Sequence, residues 1–115
     1  MSDDSKPRLS TDGMILALAG AACLLAAATA APRGEPELIV ALAVIAGTPA
    51  ALASVVDLLS GYVPGMELHL LLGVAASAGA LVALSGPHYL TAATLGVAGL
   101  MGLGRIYEVE VRGKD

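Results

Sequence analysis

Few side chains in this 115-residue sequence could take part in chemistry, and they lie beside long apolar segments. Asp57, Glu67 and His69 flank a segment rich in glycine and proline, and His88 follows the dipeptide Gly86-Pro87. An ionisable residue in or near a membrane-spanning segment is a functional candidate, because burying charge in hydrocarbon costs free energy. We expect all four side chains to lie near an interface where water reaches them.

A metal site is the chemistry that these residues would support if enough ligands converged. Imidazole, carboxylate and thioether groups all bind metals, so the candidate ligands are Met66, Glu67, His69 and His88. Residues two positions apart on a helix point in different directions, so Glu67 and His69 need another segment to share one ion. The alternative interpretation is structural: Glu67 stabilises a helix N-terminus through the helix dipole, and His69 is an interfacial side chain.

Other kinds of site have no motif in the sequence. It contains no nucleotide-binding loop, no nucleophile with a paired base and no cofactor motif, so we predict no catalytic residue, no cofactor and no enzyme activity. There is no basic stripe and no aromatic platform for bases, which argues against nucleic acid as a partner. Cys23 is the single cysteine, so it forms no internal disulfide, and we interpret it as a packed side chain.

The composition indicates which elements must position these residues. Apolar residues make up 57% of the chain and charged residues 14%, whereas soluble domains carry about 25% charged residues. Three stretches contain no Asp, Glu, Lys or Arg: 13–32, 38–56 and 68–104. About 20 helical residues cross a hydrocarbon layer of about 30 Å, so the first two stretches hold one span each and the third holds two. Gly86-Pro87 divides the third stretch.

The sequence therefore predicts an all-α fold, a four-helix transmembrane bundle in contact with the lipid bilayer. The predicted spans are 13–32, 38–57, 67–85 and 89–106, within a membrane domain at 13–107 between flexible tails at 1–12 and 108–115. Thr11 or Asp12 is the predicted N-cap of the first helix, and Gly34 follows its end. Pro49 lies inside the second span, where a kink is expected.

Lysine and arginine are distributed unequally between the two sides of this topology. Five of the six lie on the side of the termini, and only Arg33 lies on the other side. The positive-inside rule then places both termini of a multi-pass cell-membrane protein in the cytoplasm. The competing interpretation is a cleaved secretory signal ending near Ala28-Thr29-Ala30, although removal of the first span would destroy the charge symmetry.

Small and aromatic residues occupy recurrent positions in the spans. Small residues three or four positions apart let membrane helices approach closely, either within one chain or between chains. The predicted packing residues are Gly73, Ser77, Gly96, Gly99 and Gly102. The predicted interfacial anchors are the tyrosines at span ends, Tyr62, Tyr89 and Tyr107.

From about residue 38 to residue 108, the order of features resembles the first membrane helices of heavy-metal-transporting P-type ATPases. That family has a helix broken at glycines, a Met-Asp or Met-Asn pair before leucine, a late Gly-Ala, and a following helix ending in Gly-Arg-x-x-Glu. The counterparts here are Gly61 and Gly65, Met66-Glu67 with Leu68, Gly79-Ala80, and Gly104-Arg105-Ile106-Tyr107-Glu108. The family's four leading helices also start and finish in the cytoplasm.

The sequence also departs from that family. Many metal ATPases carry a glutamate near the start of the fourth helix, where this chain has Thr91-Ala92-Ala93, and the phosphorylated aspartate motif and nucleotide domain are missing. What the resemblance implies is therefore a non-catalytic membrane partner in metal transport rather than a complete pump. Two alternatives stay open: a structural subunit of a larger membrane complex, and a homo-oligomeric carrier. The carrier lacks an obvious polar pathway, because the spans supply only Ser, Thr and Cys as polar side chains.

Overall fold

The computed structural model describes residues 10–61 and 65–111, and every regular element in those ranges is helical. The four helices are α1 (Thr11–Ala30), α2 (Glu37–Ser60), α3 (Met66–Ser85) and α4 (Tyr89–Ile106), and a π-helical turn (Tyr107–Val111) continues α4. Each is long and apolar enough to cross a bilayer, with α4 taken to Glu110. The predicted all-α, four-helix fold is thus confirmed for this part of the chain, and each predicted span boundary lies within three residues of the observed helix end.

The first helix begins one residue earlier than the caps considered from the sequence. Ser10 has an extended backbone and its hydroxyl accepts a 3.0 Å hydrogen bond from the backbone N–H of Gly13, so Ser10 is the N-cap. The prediction of Thr11 or Asp12 was wrong, because both residues already have helical backbone. The predicted tail at 1–12 therefore ends at the cap, and residues 1–9 lie outside the described part.

Glycines with left-handed backbone end the first two helices. Gly34 has φ = 75°, and the backbone N–H groups of Gly34 and Glu35 donate to the carbonyls of Ala31 (3.1 Å) and Ala30 (3.2 Å). This is a Schellman motif, which satisfies the last carbonyls of α1, as the position of Gly34 in the sequence predicts. Gly61, with φ = 76°, ends α2 by donating to Asp57 at 2.8 Å. Between its ends α2 is one helix that passes through Pro49.

The helices run alternately up and down and close into a bundle, with α1 packed against both α2 and α4, and α3 against both α2 and α4. One end of the bundle, the terminal end, holds the start of α1, the end of α2, the start of α3 and the end of α4. The other end, the loop end, holds the α1–α2 and α3–α4 connections. Both ends of the described chain therefore lie at the terminal end.

The buried interior of the bundle consists largely of alanine and glycine. Of the 18 buried apolar side chains in the described residues, 13 are alanine and one is Cys23. Only Leu16, Ile39, Leu72 and Leu95 contribute large buried apolar side chains. Small side chains allow the helix backbones to approach closely, which is how membrane helices gain packing contacts.

Candidate functional site

The structure places two clusters of polar side chains in the bundle, one at each end. The terminal cluster consists of Asp12 on α1, His69 on α3 and Arg105 on α4. Arg105 donates an Nε–H hydrogen bond to Oδ1 of Asp12, and Nε2 of His69 lies 3.7 Å from the same oxygen. Charge-assisted hydrogen bonds of this kind are stronger than neutral ones. One carboxylate oxygen therefore joins three helices.

His69 lies wholly inside the bundle, with no exposed side-chain surface. Its Nδ1 lies 3.3 Å from the carbonyl oxygen of Gly65. A carbonyl only accepts hydrogen bonds, so this contact is a hydrogen bond in the tautomer that carries the ring proton on Nδ1. Nε2 is buried and makes no hydrogen bond within the described residues. Nε2 therefore faces Oδ1 of Asp12 across 3.7 Å.

Asp57, at the same end, fastens the beginning of α1 to the end of α2. Its Oδ2 accepts hydrogen bonds from the backbone N–H (3.1 Å) and the hydroxyl (2.6 Å) of Ser10. Asp57 is only 2% exposed. A carboxylate at a helix N-terminus is also favoured by the helix dipole, so Asp57 has a structural role as a second cap for α1.

The loop cluster consists of Arg33, Glu35, His88 and Thr91. Oε2 of Glu35 accepts hydrogen bonds from Nε and Nη2 of Arg33 (3.0 and 2.8 Å) and from the hydroxyl of Thr91 (3.1 Å). Nη2 of Arg33 also donates to Oγ1 of Thr91 at 3.1 Å, and Nδ1 of His88 lies 3.9 Å from Oε2. These contacts tie the α1–α2 connection to the start of α4.

The loop cluster controls the ionisation of Glu35. The side chain is only 5% exposed, and burial by itself opposes ionisation. The hydrogen bonds from Arg33 and Thr91, together with the charges of Arg33 and His88, outweigh burial and hold the pKa of the Glu35 carboxyl below its ordinary value. Glu35 is thus a stable anion, although its Oε1 is buried and has no hydrogen-bond partner among the described residues.

The structure separates the four candidate metal ligands. His88 lies at the loop end, whereas Met66, Glu67 and His69 lie at the start of α3 at the terminal end. Glu67 is exposed and His69 turns inward toward Asp12, as expected for residues two positions apart. Within residues 10–61 and 65–110, no group of three or more His, Cys, Asp or Glu side chains is placed to hold a metal ion.

The expectation that water reaches all four ionisable candidates was wrong for two of them. Asp57 and His69 are 2% and 0% exposed, whereas Glu67 is exposed and the His88 side chain is 26% exposed. The bundle covers these two side chains because Asp57 accepts hydrogen bonds from Ser10 and His69 faces Asp12, both at the start of α1. The expectation that the spans supply only Ser, Thr and Cys as polar side chains was also wrong, because the predicted spans themselves contain charged residues and histidine: Asp57, Glu67, His69 and Arg105.

Most of the predicted packing residues lie between α3 and α4 of the same chain. A methyl group at Gly102 would lie 2.8 Å from the carbonyl oxygen of His69 and 3.0 Å from the backbone nitrogen of Gly73. One at Gly99 would overlap the hydroxyl of Ser77. Gly96 is less confined, because its nearest neighbour would be the Ala80 methyl at 4.0 Å.

Two of the predicted tyrosine anchors lie at the ends of α4. Tyr89 and Tyr107 are 68% and 54% exposed at the two ends of α4, and Tyr62 lies outside the described residues.

Gly20 of α1 and Gly47 of α2 were not predicted as packing residues. A methyl group at Gly47 would lie 2.9 Å from the carbonyl oxygen of Gly20, so these two glycines allow the α1–α2 contact.

Sequence reasoning missed both clusters as clusters, although it used several of their residues for other purposes. Asp12 was assigned to the tail or to a helix cap, Arg33 entered only the charge count, and Arg105 entered the charge count and the resemblance to metal ATPases. An antiparallel four-helix order brings the start of α1, the start of α3 and the end of α4 to one end. That order was the available signal for pairing Asp12, His69 and Arg105.

Comparisons with known proteins add no family to this description. No protein-family profile, curated protein or solved structure matches the chain. The resemblance to metal ATPase membrane helices therefore rests on the residues quoted above alone.

Proposed function

We propose that this chain is an integral membrane protein that crosses the bilayer four times. The observation that carries the proposal is the distribution of side-chain size and polarity. Large apolar side chains point outward, among them Leu18 (62% exposed), Leu81 (68%) and Leu100 (70%), while the interior holds alanine, glycine and the terminal cluster. Soluble monomers rarely expose contiguous apolar surfaces of this kind, whereas lipid stabilises them.

The location of the polar clusters supports the same proposal. Charged groups of the described residues gather at the two ends of the bundle, and α1–α4 have 18 to 24 residues each. At about 1.5 Å per residue, helices of this length match a hydrocarbon layer of about 30 Å. We place the terminal end in the cytoplasm of the cell, because five of the six lysine and arginine residues belong to that side.

The proposed role is that of a non-catalytic membrane partner in metal transport. The resemblance to the leading helices of metal ATPases motivates the metal, since Met66 opens α3 and Gly104 and Arg105 lie near the end of α4. The exposed apolar faces of the helices provide surface on which another membrane protein would pack. A structural subunit of an unrelated complex is the alternative that the same surface would serve.

Single-cysteine labelling tests the membrane location and orientation together. A Cys23→Ala background removes the only cysteine, and Ala31→Cys (loop end) and Glu110→Cys (terminal end) each introduce one exposed thiol. We expect the protein to stay in membranes after alkaline carbonate extraction, and a membrane-impermeant maleimide to label intact cells only through Ala31→Cys. Release by carbonate would refute the membrane location, and labelling only at Glu110→Cys would refute the orientation.

The proposed role requires a separate experiment. We expect purification in a mild detergent to recover a metal-transporting membrane protein with this chain, and deletion of the gene to alter cellular copper, zinc, cobalt or cadmium. A co-purifying complex with unchanged metal content would favour the structural subunit. Recovery of this chain alone, with unchanged metal content, would reject the partner role.

A further inference from the structure

Two neighbouring depressions at the loop end, together called the crevice, share part of their walls. The upper depression, about 400 Å³, is lined by the loop cluster residues Arg33, Glu35 and His88. The lower one, about 210 Å³, runs toward the middle of the helices. Arg33 and Leu90 line both depressions. If the chain spans a membrane, the crevice leads from the headgroup region toward the acyl chains.

Arg33 is held in place at the junction and presents one unused face. Its Nε and Nη2 atoms donate to Glu35 and Thr91, while Nη1 makes no hydrogen bond within the described residues. The side chain is 44% exposed. A guanidinium fixed through two of its nitrogens keeps its remaining N–H groups ready for an oxygen anion, and phosphate suits the planar donor geometry.

Below Arg33 and Thr91, which belong to the loop cluster, the walls of the lower depression are apolar despite two further threonines. The hydroxyl of Thr29 donates to the carbonyl of Leu25 at 3.0 Å, and that of Thr94 donates to the carbonyl of Leu90 at 2.9 Å. Both hydroxyls are therefore satisfied within their own helices, as is common for threonine in membrane helices. Together with Leu25 and Leu90, they leave a groove suited to a hydrocarbon chain.

Glu35 adds a second recognition element to the upper depression. All hydrogen bonds to the Glu35 carboxylate are accepted by Oε2, whereas Oε1 is a buried acceptor without a partner in the described part of the chain. A buried carboxylate oxygen of this kind is stabilised by a donor, and a primary ammonium supplies three. The crevice thus combines a cation with unused N–H groups, a nearly buried carboxylate with one unpaired oxygen, and an apolar groove below them.

We propose that this crevice binds one phospholipid with a primary amine headgroup, such as phosphatidylethanolamine. The phosphate accepts from Nη1 of Arg33, the ammonium lies on the Glu35 side, and one acyl chain occupies the groove between α1 and α4. The proposal rests on the membrane location proposed above. The choice of a primary amine follows from Glu35, because the quaternary ammonium of phosphatidylcholine has no N–H to donate.

Lipid retention measures this proposal directly. The full chain is reconstituted in nanodiscs of equal parts phosphatidylethanolamine and phosphatidylcholine, exchanged into detergent, and analysed by native mass spectrometry. We expect one retained phosphatidylethanolamine per chain, and about a tenfold loss of retention in Arg33→Gln, the size that one charge-assisted hydrogen bond provides. Excess inorganic phosphate should not displace the lipid, because it lacks the acyl chain.

A second pair of variants keeps the test valid if Arg33→Gln fails to fold. Thr29 is exposed, so Thr29→Trp fills the groove without entering the core, and it should lower retention to a similar degree. Leu81→Trp, at an exposed position of α3 away from the crevice, is the matched control and should retain the lipid. Equal retention of the two lipids, displacement by phosphate, or retention by Thr29→Trp would each overturn the proposal. A chain that fails to enter nanodiscs would instead contradict the membrane location.

Discussion

Asp12 has two basic neighbours, Arg105 and His69, within reach of one carboxylate oxygen. The Arg105 side chain is 23% exposed and that of Asp12 15%, so water provides only part of their solvation. Partial burial of a guanidinium costs free energy, and without an anionic partner much of that cost would not be offset. Glu108 also lies near Arg105, at 3.4 Å, but its side chain is 55% exposed. Two carboxylates thus pair with one arginine in different environments.

Replacing Asp12 and Glu108 one at a time compares a partly buried partner of Arg105 with an exposed one. We expect Asp12→Asn to lower the free energy of unfolding in detergent by about 1–3 kcal/mol, because Arg105 loses its buried anionic partner and His69 faces an amide. Glu108→Gln, the matched control, should change it by less than about 1 kcal/mol, as for exposed ion pairs. Unfolding of each variant followed by circular dichroism provides the measurement. Equal losses in the two variants would contradict the assignment of Asp12 as the buried partner.

Glu35 makes stability at the loop end dependent on pH. Its pKa is lower in the folded protein than its ordinary value of 4.5, so the unfolded chain binds the proton more readily. The resulting stabilisation is fully present above pH 4.5 and is lost as the pH falls through the lower, folded value. We expect the difference in unfolding midpoint between the native protein and Glu35→Gln to be constant above pH 4.5 and to shrink below it. A difference that stays constant down to pH 3 would show that Glu35 ionisation does not stabilise the fold.

At the scale of elements, helix α4 lies against α3 at glycines of both helices, and Leu95 and Leu103 of α4 pack on Gly79 and Gly73 of α3. The Gly102 position touches backbone atoms of His69 and Gly73, which cannot move without shifting α3 itself. The same contact holds His69 near Arg105, since both residues lie at that end of the pair. Close backbone approach therefore also sets the geometry of the terminal cluster.

Alanine substitution at two glycines of α4 tests this contact. Gly102→Ala should destabilise the bundle by about 1–3 kcal/mol, because the added methyl meets backbone atoms that cannot yield. Gly104→Ala is the control, since a methyl group there meets nothing within 4 Å. Thermal unfolding in detergent compares the two variants. If both are equally stable, α3 and α4 are less tightly packed at Gly102 than the structure indicates.

The sequence predicted the helices well because each is a long uncharged stretch bounded by glycine, proline or charge. Gly34 and Gly86-Pro87 marked their ends correctly, since turn chemistry depends on residues close in sequence. The pairing of Asp12 with Arg105 was not predicted, because 93 positions separate them and their meeting depends on the order of packing. For the same reason, the sequence did not show that Asp57 and His69 face α1.

At the scale of the whole molecule, the outer surface of the bundle carries many large apolar side chains while the interior is rich in alanine. This distribution is unusual for a protein in water. Exposed leucines occur along the full length of the helices, for example Leu59 near the end of α2 and Leu100 near the middle of α4. In water both positions would tolerate a charged residue, because neither contacts the core. In a bilayer their tolerance should differ, because depth determines whether a charge reaches the headgroup region.

Arginine substitution at these two positions therefore tests whether the outer surface of the bundle faces water or lipid. Leu100 lies near the middle of the segment Tyr89–Glu110, the span with the lowest hydropathy (1.2), and an arginine at a helix centre opposes insertion by about 2.5–3.5 kcal/mol. We expect Leu100→Arg to reduce the membrane-integrated fraction severalfold, measured by carbonate extraction. Leu59→Arg, at a residue that is 78% exposed and one position from the end of α2, should integrate normally because its side chain reaches the interface. Equal integration of both variants would mean that the outer surface of α4 does not face lipid.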